Sequence, residues 1–167
     1  MKELLFFSHN QKKILEINQI FKSSKIKILN LNSFKKIKEP IENGKSFSSN
    51  AKLKSAYGQK LFDKPCFADD SGFCVEALSG NPCVKSKRYL QKFSSNKKAF
   101  DNIIKSVINL KNDRAYFVTS ISLTLKTNHH IIFEGKVYGR VSLKPKGSNG
   151  FGYDPIFIPD GYDKTFE

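Results

Sequence analysis

Long hydrophobic runs are missing from this chain, and none approaches the roughly 20 apolar residues that a membrane-crossing helix needs. The amino terminus reads as the start of a strand rather than a secretion signal, so a cytoplasmic location and no membrane partner are expected. Cysteine is scarce. Cys66, Cys74 and Cys83 lie in or beside the central apolar stretch without metal-ligand spacing. An odd set of buried-looking thiols suits a reducing compartment better than a disulfide framework. Arginine is confined to Arg88, Arg114 and Arg140, although the net charge is +14. The positive charge is therefore lysine, scattered along the whole chain, and the concentrated footprint of a nucleic-acid binder is lacking. Lysine, asparagine, isoleucine and phenylalanine, all abundant here, share A/T-rich codons, so compositional drift accounts for the charge without a partner. A basic surface would still attract a polyanionic nucleotide.

What is present begins with length. The 167 residues suffice for one domain with a real core, or two lobes sharing a sheet. Leu4-Leu5-Phe6-Phe7 reads as a buried first strand, broken by Ser8-His9-Asn10. A helix follows with Ile14, Ile17 and Phe21 at helical spacing and Lys12 and Lys13 in its first turn. Free N–H groups and the helix dipole make such a start an anion site, and two lysines there oppose the dipole unless an anion faces them. Ile26, Ile28 and Leu31 alternate as a second strand. The polar loop from Lys35 to Lys45 carries Glu39 and Glu42, one of which could reach a metal; the alternative is a solvated loop. Ser46 or Ser48 caps a helix reaching about Phe62, on which Asn50 and Lys54, four apart, share a face.

The stretch Phe67-Ala68-Asp69-Asp70-Ser71-Gly72-Phe73 is the centre of the chain. It reads as a buried strand, a charged tip with a glycine turn, and a departing strand. Neighbouring strand residues face opposite ways, so Asp69 and Asp70 reach one pocket only if the backbone bends, and Gly72 would permit the bend. Adjacent carboxylates at a strand end suit a hard cation such as Mg2+ and the activation of a water. The alternative is that both cap a turn and face solvent. Downstream, Leu78 to Pro82 is a turn and Val84 to Phe93 carries Lys85, Lys87 and Arg88. Ser95 to Lys111 is an amphipathic helix. Arg114 to Thr127 alternates, with Ala115, Phe117, Thr119, Ile121, Leu123 and Leu125 on one face, and turns through a hairpin into Ile131-Ile132-Phe133. His129 and His130 decorate that turn. In Gly147-Ser148-Asn149-Gly150-Phe151-Gly152-Tyr153-Asp154-Pro155-Ile156-Phe157, glycines allow close backbone approach and Phe151 and Tyr153 offer faces for stacking a base.

Taken together, Ser8-His9-Asn10-Gln11-Lys12-Lys13, Ser46-Phe47-Ser48-Ser49-Asn50-Ala51 with Lys54, Ala68-Asp69-Asp70-Ser71-Gly72 and Gly150-Phe151-Gly152-Tyr153-Asp154-Pro155-Ile156-Phe157 stand in one order. This chain resembles the inosine/xanthosine triphosphate pyrophosphatase family over nearly its whole length. The resemblance implies a mixed α/β fold with a long twisted central sheet and helices, and two lobes with a nucleotide cleft between them. It also implies a homodimer, a purine nucleoside triphosphate substrate (ITP, dITP or XTP) and Mg2+ as cofactor. By position, Asp70 is the implied catalytic aspartate and, with Glu42, the implied metal ligand. Ser8, His9, Asn10, Gln11, Lys12, Lys13, Lys54 and Ser71 match triphosphate-binding positions. Phe151, Gly152, Tyr153 and Asp154 match the nucleotide loop, where an aromatic ring stacks on the purine, and Arg88 matches a Ser-Ala-Arg-Tyr arginine. Ser49 replaces a usual glutamate, His9 a small residue, and Cys83-Val84-Lys85 a Gly-Val-Tyr-like segment. The family continues past the position of Glu167 into a lysine and a His-Arg pair that grips the base. Residues 1–167 are thus expected to be a single pyrophosphatase domain, C-terminally short, with a nucleotide-binding remnant of impaired catalysis as the alternative.

A charge-driven nucleic-acid binder is the remaining rival, and no recognition helix or run of stacking aromatics on a sheet supports it. Binding to duplex DNA should accordingly be weak and unselective and fade steeply between low and physiological salt in a filter or anisotropy titration. Sequence-selective binding that survives physiological salt would overturn this.

Overall fold

Large apolar side chains at successive positions of two parallel strands organise the first part of the molecule. The computed structural model describes residues 2–34, 37–147 and 151–166. Lys35 and Lys36 of the polar loop, Ser148, Asn149 and Gly150 of the glycine-rich stretch, and Glu167 lie outside the described residues. The elements are β1 (Lys2–Phe6), α1 (Gln11–Phe21), β2 (Ile26–Asn30), α2 (Phe47–Phe62), β3 (Cys66–Val75), α3 (Ser86–Gln91), α4 (Asn96–Leu110), β4 (Arg114–Lys126), β5 (His129–Val141) and β6 (Phe157–Pro159). The strands are hydrogen-bonded in the order β2-β1-β3-β4-β5-β6. The sheet is mixed: β1 runs parallel to β2 and β3, and β5 antiparallel to β6. Among the described residues no helix is long and apolar enough to cross a membrane.

The chain divides into two compact units, Met1–Asp70 with Ser120–Glu134, and Ser71–Thr119 with Gly135–Glu167. In the first unit, β1 and β3 are buried on both faces, as parallel strands usually are. Leu5, Phe7, Cys66 and Ala68 share one cluster with Leu31 and Phe62 of α2. Phe6 and Phe67 share the other with Ile14 and Ile17 of α1. Their rings stack at 4.8 Å. Alternation along each strand thus assigns one face to α2 and the other to α1. Gly58 lets α2 approach closely, since a Cβ there would lie 2.6 Å from both Cys66 Sγ and the Phe7 ring. Leu31 does not extend β2; it starts a short 3-10 turn capped by the Asn30 side chain, which accepts from Asn32 N–H at 3.1 Å.

Three expectations are corrected. Residues 66 to 75 form one continuous strand, not a tip and turn. Asp69 and Asp70 each meet a partner on a different helix, so no bend at Gly72 is needed. On β4, Ile121 and Leu123 do pack into the α1-side cluster. The opposite face is nevertheless the more deeply buried, through Ser120, Ser122 and Thr124. Their hydroxyls tolerate burial because they are bonded: Ser55 Oγ lies 2.9 Å from Ser122 Oγ and 2.8 Å from Thr124 Oγ1. His130 is more than turn decoration. It joins this group, its Nδ1 lying 2.9 Å from Thr124 Oγ1.

The second unit packs around Phe73, with Val75, Phe100, Ile103, Val107, Tyr153, Ile156 and Phe157 in one cluster. The apolar stripe of α4 supplies its helical side, and Ser95 caps that helix by accepting from Lys98 N–H. Phe73 is fully buried, with ring centroids 4.9 Å from Tyr153, 5.0 Å from Phe117 and 5.7 Å from Phe157. Phe73→Ala should lower unfolding stability by about 3–5 kcal/mol in urea titration, the usual range for emptying such a site. A loss below about 1 kcal/mol would show that the neighbouring rings collapse into the space.

Candidate functional site

The alternation that divides the core also distributes the two aspartates. Asp69 follows Phe67 onto the α1 face, where Lys13 Nζ is hydrogen-bonded to its Oδ2. Asp70 follows Ala68 onto the α2 face, where Asn50 Nδ2 donates to its Oδ2 at 2.9 Å. Lys54, one turn further along α2, forms an ion pair with Glu42 at 2.8 Å. Three predicted site residues of the first unit, Glu42, Lys54 and Asp70, therefore gather on one face of α2, with Asn50 joining them. Burial raises the Asp70 carboxyl above its usual range, outweighing the Asn50 hydrogen bond and the Lys54 charge that favour ionisation. Burial pulls the Lys54 ammonium down, yet its bond to Glu42 and the charges of Glu42, Asp69 and Asp70 prevail and leave it raised. The cluster keeps a cation firmly charged beside a carboxylate that is held in partly buried surroundings.

The start of α1 differs from the open anion site expected. Asn10 is the cap residue, and its Oδ1 accepts from Lys12 N–H at 3.1 Å and Lys13 N–H at 3.3 Å. Asparagine is a preferred cap for this reason, so two of the free donors are already satisfied. The anion facing Lys13 is the protein's own Asp69. Ser8 Oγ accepts from Asn10 N–H at 3.2 Å, and Gln11 exchanges amide bonds with Asn32 at 3.0 and 3.1 Å. Lys12 is exposed. His9, which stands where the family has a small residue, is accommodated by Glu39: Nδ1 and the backbone N–H lie 2.7 and 3.2 Å from Glu39 Oε1. Ser49 in place of glutamate completes a reciprocal cap with Ser46, Ser49 N–H to Ser46 Oγ at 3.1 Å and Ser46 N–H to Ser49 Oγ at 3.2 Å.

In the second unit, Ser71 Oγ lies 2.9 Å from Thr119 Oγ1. Arg88 is exposed on α3. Phe151 N–H donates to Asp154 Oδ2 at 2.8 Å, and Gly152 between them has φ +65°, a conformation that favours glycine. Tyr153 corrects the expectation of a face offered for stacking. It is 3% exposed, its ring is stacked on Phe73, and its hydroxyl donates to the Ser86 carbonyl at 2.7 Å. Phe151, at 36% exposure, is the more accessible ring of the pair. Ser86 also accepts from Phe73 N–H at 2.8 Å and donates to the Cys83 carbonyl at 2.6 Å.

Sequence reasoning left Asn50 with no role beyond sharing a helix face with Lys54, weighed Glu39 only as a candidate metal ligand rather than a partner of His9, and gave Ser86 no role. The available signal for Asn50 was its place one turn before Lys54 on the same helix face. Glu39 and Ser86 carried none, because their partners are 30 and 13 residues away. Among the described residues, no group of three or more His, Cys, Asp or Glu side chains is arranged to hold a metal by itself.

Comparison with known proteins places these residues in context. A model of the Ham1 family matches residues 4–167. A dITP/XTP pyrophosphatase of Flavobacterium johnsoniae is 38% identical over 164 residues, covering 98% of this chain and 84% of that protein. One from Acholeplasma laidlawii is 38% identical over 165 residues, covering 98% and 80%. The solved structure of the Staphylococcus aureus Ham1 protein is similar at a TM-score of 0.85 and 34% identity, covering 99% of this chain and 85% of that one.

Proposed function

The chain belongs to the Ham1 family, and we propose that it hydrolyses non-standard purine nucleoside triphosphates, ITP, dITP and XTP, to the monophosphate and pyrophosphate. The observation that carries the mechanism is the placement of Asp70, Lys54 and Glu42 against one face of α2. Relatives bearing the name dITP/XTP pyrophosphatase, matched over nearly the whole chain, support the substrate class.

In this reading water adds to the α-phosphorus and the bond to the oxygen bridging the α- and β-phosphates breaks, releasing pyrophosphate. Asp70 orients the attacking water and accepts its proton. A carboxyl raised by burial is a better base than an exposed aspartate, and Asn50 keeps the accepting oxygen in place. Lys54 and Lys13 neutralise phosphate charge, exchanging their carboxylate partners for the substrate's oxygens. Ser8, His9, Asn10, Gln11 and Lys12 line the polar start of α1 as the rest of the triphosphate site in the first unit, and Ser71 is the triphosphate-binding position that the resemblance implies in the second. Phe151 supplies the stacking ring, Gly152 and Asp154 hold its loop in shape, and Tyr153 supports that loop from the core. Arg88 contributes charge from α3.

The donor chemistry fits a hard divalent cation. Asp70 and Glu42 offer carboxylate oxygens only, fewer than Mg2+ needs, and Mg2+ typically takes one or two carboxylates with substrate phosphates and water completing the shell. When bound, Mg2+ would supply charge neutralisation for the phosphates and acidify water. A homodimer is part of the same proposal. It is supported by apolar side chains left exposed on β5, Ile131, Ile132 and Phe133 in the first unit and Val137 and Tyr138 in the second. Sedimentation equilibrium at micromolar concentration should return twice the chain mass, and a monomer throughout would sink this part.

Purified protein with Mg2+ should convert dITP and XTP to monophosphate and pyrophosphate, well ahead of ATP, as read by ion-exchange chromatography of the products. Release of single orthophosphate, or equal use of ATP, counts against the assignment. Asp70→Asn should lower kcat by at least about a hundredfold while nucleotide still binds. If Asp69→Asn is crippling and Asp70→Asn mild, the reacting carboxylate is the one facing α1.

A further inference from the structure

The Asn50 side chain is 2% exposed, and both ends of its amide are used. Its Oδ1 accepts from Gly44 N–H at 2.8 Å, and its Nδ2 donates to Asp70 Oδ2 at 2.9 Å. The orientation is forced by chemistry. A backbone N–H can only donate, so the amide oxygen must face Gly44, which leaves the NH2 group to face the carboxylate. A side chain of this length that accepts at one end and donates at the other is an amide; aspartate can only accept when ionised, and leucine does neither.

Gly44 is equally constrained. A Cβ at this position would stand 2.5 Å from Asn50 Oδ1 and 2.2 Å from Ser49 Oγ, so the loop approaches the start of α2 as closely as backbone allows. Glu42, two residues earlier, is held at its other end by Lys54. The α2 helix therefore grips the loop twice, through Lys54 on the Glu42 side chain and through Asn50 on the Gly44 backbone, while Asn50 also grips Asp70.

We propose that Asn50 is a positioning residue for the hydrolysis proposed above, joining the Glu42-bearing loop and the Asp70 carboxylate into one fixed arrangement. The inference rests on that functional reading and extends it to a residue that touches neither substrate nor metal. Its consequence is a division of labour within one amide: the oxygen fixes the loop, and the NH2 group fixes the direction in which Asp70 presents its oxygens.

Two substitutions in the full chain separate these roles. Asn50→Asp keeps an acceptor for Gly44 N–H and replaces the neutral donor to Asp70 with a carboxyl group that repels Asp70 or shares its proton. Asn50→Ala loses both. Steady-state hydrolysis of dITP in Mg2+ should show kcat reduced at least about tenfold in each variant, the scale of one hydrogen bond to a charged group. KM should move by less than about threefold, because binding groups are untouched. Hydrogen exchange at the Gly44 amide, read without nucleotide, should stay slow in Asn50→Asp and speed up in Asn50→Ala. A purely structural role for Asn50 predicts instead that Asn50→Asp, with its loop contact kept, turns over like wild type. Asn50→Asp with kcat within about twofold of wild type, or Gly44 exchange unchanged in Asn50→Ala, overturns the inference. Should Asn50→Ala fail to fold, Asn50→Asp alone still decides through kcat and Gly44 exchange. A wild-type chain inactive on dITP and XTP would overturn the functional reading and the inference with it, whereas an active wild type beside an active Asn50→Asp overturns the inference only.

Discussion

Side-chain alternation along β3 is the constraint on which the candidate chemistry depends. Cys66 and Ala68 face α2, Phe67 faces α1, and the same period carried two residues further sends Asp70 to α2 and Asp69 to α1. Register is secured by burial on both faces: slipping the strand by one residue would drive Phe67 into the space filled by Ala68 and reverse the two carboxylates. The apolar packing of β1 and β3 thus sets which aspartate meets which helix. No special turn is required, and the strand remains regular through Gly72.

Separation of the aspartates has an electrostatic consequence. Two adjacent carboxylates in one pocket would repel, and one would be driven to hold a proton. Here Asp69 is neutralised by Lys13, Glu42 is neutralised by Lys54, and Asp70 takes its hydrogen bond from a neutral amide. A carboxylate held by an amide keeps its direction while retaining negative charge for a proton or cation. The lysine pairs are suited to exchange. Each ammonium is already desolvated and oriented by a carboxylate, so an arriving phosphate replaces one anion with another instead of stripping water from a free cation.

In the second unit the substitutions and polar contacts serve packing. Tyr153 stacks on Phe73 and bonds Ser86, and Ser86 in turn bonds Phe73 and Cys83, so the loop carrying Phe151 is anchored to the core through one tyrosine. Departures from the family pattern are absorbed locally. His9 finds Glu39, and Ser49 closes a reciprocal cap with Ser46.

The strand–helix–strand opening, a cap at Ser46 or Ser48, the extent of α2 and α4 and the hairpin after Lys126 were legible in the residues, because helical and strand periods and capping residues are local signals, whereas α3 and β6 gave no such signal and the grouping of Asp70, Lys54 and Glu42 came from the family resemblance. Local signals also misled. Adjacent charges and a glycine suggested a turn at Asp69 to Gly72, and His130 read as turn decoration, whereas residues 66 to 75 run on as one strand and His130 bonds Thr124. Tyr153 looked available for a ligand until its partners from Phe73 and Ser86 were in place. The sequence by itself determined the periodicities, the residue types at the motifs and their order. Only the tertiary structure decided which carboxylate faces which helix, which donors at the start of α1 are already taken by Asn10, and that Asn50 ties Gly44 to Asp70. The Asn10 cap and the Asn50–Gly44 bond are short-range, but the facing of the two carboxylates and the Asn50–Asp70 bond depend on partners 20 or more residues apart, or on which face of a strand a helix covers, and neither is encoded in any short window.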